Sequence, residues 1–194
     1  MSDLFNSPVL KIDQPRGVPS AKSKYTVKDG QGTLLAQASE HDVGVARQAV
    51  RTVFGGGGRR SVLVENAHGV PVLAIETRSS RDTLISAPGG ALYGSIQIDD
   101  YDWRYKLLDA AERFVGRLDG NRVARKFKVL DAAGHHVAQV DKKWKGAMTE
   151  ILTSADRYRV EFHHPLPDPL RVLVVAAPIA LDLMLYEDKD WIPG

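Results

Sequence analysis

Two groups of basic side chains are the places where this chain could do chemistry. One is Arg47, Arg51, Arg59 and Arg60; the other is Lys142, Lys143 and Lys145 around Trp144. Clustered cations attract anionic lipid at roughly 1 kcal/mol per residue close to a membrane. A tryptophan among them suits the water–lipid interface. A solvated outer protein face would use the same residue types. No long alternation of aromatic and basic residues marks a nucleic-acid surface, so no nucleic-acid partner is expected.

Other polar groups point to less. His135-His136 and His163-His164 are pairs of strand neighbours, which face opposite sides and do not chelate simply. No His-Glu-x-x-His pattern accompanies them, and Gly55 to Gly58 lack the Lys-Ser/Thr of a phosphate loop. Asp99, Asp100 and Asp102 are crowded, but Tyr101 and Trp103 between them suit a strand end better than a catalytic carboxylate pair. No Gly-x-Ser-x-Gly nucleophile elbow occurs. The absence of cysteine excludes disulfides, thiolate nucleophiles and thiolate metal sites. No catalytic residue, resident metal or cofactor is therefore expected, and an enzyme is the least favoured class.

The elements that must position these residues follow from pattern. At 194 residues, with 43% hydrophobic content and a net charge of +2, one globular domain is the default. It is expected over residues 21–194, after a loosely ordered segment 1–20 containing Pro8, Pro15, Gly17 and Pro19. The N-terminus lacks a basic stretch followed by an apolar one, so no secretory signal is read and a cytoplasmic location is expected. One local pattern recurs: alternating apolar residues, then Asp or Asn, then a turn with Gly, then alternation. It appears from Tyr25 through Asp29, from Val62 through Asn66, from Phe127 through Asp131, and in degenerate form from Tyr105 through Asp109. Period-two alternation signals half-buried strands; Asp or Asn caps tight turns and Gly supplies φ > 0.

Strands are expected near 25–29, 33–39, 61–66, 70–77, 81–86, 91–99, 103–109, 113–118, 122–130, 136–143, 147–152 and 156–163. Val43, Ala46, Val50, Val53 and Phe54 recur at helical spacing, predicting one short amphipathic helix over 41–54. From Val172 to Leu181 every residue is apolar, and Leu183, Met184 and Leu185 extend the run past Asp182. A helix apolar all round is buried in protein or lipid. Spanning a membrane takes roughly 18 or more uninterrupted apolar residues, which Asp182 prevents. The favoured reading is a helix over 169–186 enclosed by strands; a membrane helix and a strand pair are the alternatives. About twelve strands close into a barrel whose lumen is too wide for side chains alone to fill, and this helix fills it. Asp182 is then expected near the end of the lumen, or against a buried donor.

These residues resemble a family. Thr149 to Phe162, Pro165-Leu166 and the apolar run ending Leu181-Asp-Leu-Met-Leu-Tyr-Glu187 resemble the C-terminal part of phospholipid scramblases and of the LURP-one-related proteins of plants and bacteria. Phe127-Lys-Val-Leu-Asp131, Gly134 and Val140-Asp-Lys-Lys-Trp-Lys-Gly146 resemble their penultimate hairpin. The resemblance covers residues 22–187. It implies the tubby C-terminal fold, a mainly β closed barrel of twelve strands around a central C-terminal helix. It also implies an association with lipid, since scramblases are named for calcium-stimulated lipid movement and tubby domains bind phosphoinositide headgroups through basic side chains. LURP-one-related members have no settled activity, and fold alone does not transmit function.

The calcium segment of scramblases would map onto Ser154 to Asp168. Calcium takes six to eight oxygens, and here a serine holds the first acidic position while Arg157 and Arg159 add positive charge. Asp156, Glu161 and Asp168 remain as weak calcium candidates, with turn and helix-cap roles as their alternative. The expected function is a non-catalytic binding module that associates peripherally with an anionic phospholipid or membrane surface. The alternative is a protein-interaction scaffold with a protein partner and no lipid role.

Overall fold

The computed structural model describes residues 3–15, 24–40, 60–99, 103–121, 126–143 and 154–187. Strand follows strand because the turn chemistry works as its residues require. Asp29 Oδ1 accepts the Gln31 and Thr33 amides at 2.8 Å each. Asn66 Oδ1 accepts those of His68 and Val70 at 2.9 and 3.0 Å. Asp109 Oδ1 accepts those of Ala111 and Arg113 at 2.9 Å each, and Asp131 Oδ1 that of His135 at 2.8 Å. In three of these turns a glycine takes positive φ, namely Gly32, Gly69 and Gly134; in the degenerate copy Glu112 does so at φ 59°.

The strands are β1 (Val9–Pro15), β2 (Lys24–Asp29), β3 (Leu34–Glu40), β4 (Arg60–Asn66), β5 (Pro71–Ser79), β6 (Asp82–Ser86), β7 (Leu92–Ile98), β8 (Arg104–Asp109), β9 (Phe114–Gly120), β10 (Lys126–Asp131), β11 (His136–Lys143) and β12 (Ser154–Phe162). Each pairs antiparallel with its chain neighbours, and β1 pairs with β12 to close a twelve-stranded barrel. A short 3-10 turn, Asp3–Phe5, precedes β1. One α-helix, α1 (Leu170–Glu187), follows β12 and runs through the lumen.

Alternation decides what faces in. Tyr158, Val160 and Phe162 are buried, and Lys11, Gln37 and Lys128 on other strands are exposed. From Leu170 to Met184 every residue of α1 is buried. Burying this surface removes it from water at roughly 25 cal/mol per Å². Ala176, Ala177 and Ala180 keep the helix slim enough for the lumen. On β9, which faces the start of α1, Gly116 leaves room: a Cβ there would lie 3.1 Å from Leu170 Cδ1 and 2.6 Å from the Leu130 carbonyl oxygen.

One expectation needs correction. The segment 1–20 is not simply a loose lead-in, because Leu4, Leu10 and Ile12 are buried and residues 9–15 form the strand that closes the barrel. Pro8 and Pro15 flank that strand instead of preventing it, as proline is tolerated at strand ends. The predicted strand over 147–152 and the helix over 41–54 lie outside the described residues, so β1 supplies a member of the twelve that alternation did not reveal. Among the described residues no helix is long and apolar enough to cross a membrane.

Candidate functional site

Antiparallel order puts every even-to-odd turn at one end of the barrel and every odd-to-even connection at the other. Glu40 and Arg60, which bracket residues 41–59, and Lys143 and Ser154, which bracket residues 144–153, therefore share one rim. Arg60, Lys142 and Lys143, the described members of the two basic groups, stand at the ends of β4 and β11 on that rim.

Arg60 and Lys142 do not face outward. Arg60 precedes Val62 on the inward side of β4, and its Nε and Nη2 each donate to Glu40 at 2.9 Å. Its side chain is 22% exposed. The hydrogen bonds it donates to Glu40 hold its guanidinium above the ordinary arginine value against the opposing effect of burial; Tyr25 and Asp182 also raise it. Lys142 lies opposite Tyr158 in register, on the inward face. Its ammonium is 5.2 Å from the centre of the Tyr158 ring and 3.7 Å from Asp182 Oδ1. The expectation that Lys142 lies on the outer surface is thus corrected: its strand register points it into the lumen, where a carboxylate of α1 receives it.

Asp182 is the centre of this arrangement. It is 1% exposed, and Tyr25 donates its hydroxyl to Oδ2 at 2.8 Å. A buried carboxylate is tolerated only with such partners. The expectation of a buried donor for Asp182 is met, but the sequence pattern does not mark Tyr25, Glu40 or Tyr158 as belonging to this cluster. Tyr25 and Tyr158 did sit on apolar faces by alternation; nothing local says that those faces meet Asp182.

The hairpin end carries the other buried charge of α1. Arg171 is 5% exposed, and burial lowers its affinity for its proton. Its Nε donates to the Phe5 carbonyl at 3.0 Å, and Nη2 donates to that of Ser7. The guanidinium carbon stands 3.3 Å from the centre of the Phe162 ring. The N-terminal segment is thereby tied to α1.

The remaining predicted residues divide. Arg47, Arg51, Arg59, Trp144 and Lys145 lie outside the described residues; Lys143 ends β11, opposite Arg157. The weak calcium candidates do not converge. Asp156 pairs in register with Gln14, whereas Glu161, five residues on, is exposed and ion-paired with Arg159 at 2.9 Å. Five residues of strand span about 17 Å, far beyond a shared coordination sphere. Asp168 is exposed beyond the far end of β12. The histidines pair differently from their order in sequence: the His136 and His163 rings meet edge-on at 4.5 Å. Among the described residues no group of three or more His, Cys, Asp or Glu could hold a metal. Asp99 is engaged by Lys106 at 2.7 Å; Asp100 and Asp102 lie outside the described residues.

Relatives agree with this architecture. An X-ray structure of a protein from Arabidopsis thaliana superposes with a TM-score of 0.51 at 16% identity, covering 95% of this chain and 93% of that one. At that identity it shows the shared fold. Among curated proteins the chain has no match. The Scramblase family model matches residues 20–188. Since that match takes in β2 to α1 and most of the sequence, the protein belongs to the scramblase family.

Proposed function

We propose that the protein is a non-catalytic module that associates peripherally with anionic phospholipid surfaces through basic residues around the rim shared by Glu40, Arg60 and Lys142. Family membership supports a phospholipid-related role. The observation that carries the reading further is that residues 41–59 and 144–153, which hold most of the clustered basic residues, begin and end on one rim. Arg60 and Lys142 are engaged by Glu40 and Asp182. The lipid contact therefore falls to Arg47, Arg51, Arg59, Lys143, Trp144 and Lys145. A cytoplasmic location with reversible contact to the membrane fits such a module. Its folding unit begins with the strand β1, ahead of residue 21.

Flotation with phosphatidylserine-containing vesicles tests this. Binding is expected at low salt, and is expected to fall as salt shortens the screening length to about 8 Å at physiological ionic strength. Pure phosphatidylcholine vesicles should not retain the protein. Charge reversal at Arg47, Arg51, Arg59, Lys143 and Lys145 is expected to abolish binding. Absence of co-flotation at low salt would remove the lipid reading and leave a protein-interaction scaffold in its place.

A further inference from the structure

We infer that the barrel wall at the β12–β1–β2 seam is a second contact surface for the same anionic bilayer, an inference that rests on the lipid reading above. Strand register carries it. Lys126 lies opposite Asp141, Asp141 opposite Arg159, Arg159 opposite Lys11, and Lys11 opposite Lys28. One transverse row across five adjacent strands thus holds four cations and one carboxylate. That surplus exceeds the net +2 of the entire chain. The row is on the outer face, since the alternate residues Phe127, Val140, Val160, Leu10 and Val27 are in the core.

Its central part is the informative one. Arg159, Lys11 and Lys28 stand side by side on neighbouring strands, each about 4.8 Å from the next along the sheet. Like charges directly opposite one another destabilise a sheet, so folding alone does not favour this row. Of these three cations, only Arg159 is ion-paired with a carboxylate among the described residues. Arg159 bonds Glu161 at 2.9 Å, but its Nε donor has no hydrogen-bond partner. Lys11 Nζ donates to the Gly30 carbonyl at 2.6 Å. Among the described residues neither Lys11 nor Lys28 forms an ion pair with a carboxylate. Two positions nearer the rim on β11 and β12, Lys143 and Arg157 are opposite each other, so the seam is continuous with the rim proposed to meet lipid. The wall here is convex, and flexible lysines on a convex wall suit an extended anionic plane better than one enclosed ligand.

The test compares vesicle flotation of the full chain as wild type, as Lys11→Gln/Lys28→Gln, and as Lys106→Gln/Lys128→Gln, a pair on β8 and β10. An exposed cation near an anionic surface contributes roughly fivefold in partitioning. The seam variant is therefore expected to bind phosphatidylserine-containing vesicles about 25-fold more weakly. The β8–β10 variant is expected to lose less than half of that effect on a logarithmic scale. The melting temperature of the seam variant is expected to stay level or rise, because repulsion is removed. Unchanged binding by the seam variant, or equal weakening by both variants, would overturn the seam surface while leaving the lipid reading intact. A wild-type chain that fails to float would overturn both.

Discussion

At the scale of single residues, the decisive one is Asp182. It places a carboxylate inside a largely apolar helix, and the barrel answers with Tyr25 and Lys142. A hydrogen bond to a charged group contributes roughly 1.5–3 kcal/mol, so Tyr25→Phe is expected to lower stability by about that amount. Lys142→Met removes one partner of a buried ion pair, a change that costs roughly 3–5 kcal/mol when the other charge stays buried. Adding Asp182→Asn to Lys142→Met is expected to recover part of the loss, which a double-mutant cycle reads directly. Thermal melts check both, at about 2–4 °C per kcal/mol for a chain of this size. Additive effects of the two substitutions would show that Lys142 and Asp182 are not coupled.

At the scale of elements, the hairpins have an acid-sensitive design. Asp29 is held below the ordinary carboxylate range chiefly by the Thr33 amide, Asp131 chiefly by the His135 amide, and Asp109 chiefly by the Arg113 side chain. A carboxylate depressed in the folded state contributes stability above its unfolded value, near 3.9, and loses it as pH falls through the folded one. Asp82 has the opposite sign, because burial raises it. Stability is therefore expected to be level above about pH 5 and to fall below about pH 4. Asp109→Asn is expected to flatten that acid limb in pH-dependent denaturation, and an unchanged limb would assign the loss elsewhere. The helix has a separate vulnerability. Ile179 is 3% exposed within the lumen, and Ile179→Asp would add a buried charge with no donor provided for it. A soluble, cooperatively melting Ile179→Asp chain would refute the enclosed-helix architecture.

At the scale of the whole molecule, closure is the organising event. β1 bonds to both β2 and β12, and without it the sheet has two free edges. Free edges template association between chains. Arg171 adds a second tie by holding the backbone at Phe5 and Ser7 against the start of α1. Deleting residues 1–15 is therefore expected to produce insoluble protein, with circular dichroism of any soluble fraction lacking a cooperative melt. A truncated chain that melts as the full one does would show that closure by β1 is dispensable.

Much of this molecule follows from sequence because its determinants are local. Turn aspartates and glycines mark the hairpins, period two sets the inward faces, and an apolar run too long to expose and interrupted by Asp182 must be enclosed. The strand count and the enclosed helix implied a closed barrel, and the family resemblance over residues 22–187 implied the same form. What tertiary structure alone decided is which strand completes that form and which side chains meet. β1 carries few apolar residues between two prolines, and only pairing with β2 and β12 makes it a strand. Lys142 reads as one of a surface cluster, yet the register of β11 against β12 turns it inward to Asp182, forty residues away. The row of Lys11, Arg159 and Lys28 has no sequence signature at all. Its members come from opposite ends of the chain, and their neighbourhood exists only because the barrel closes.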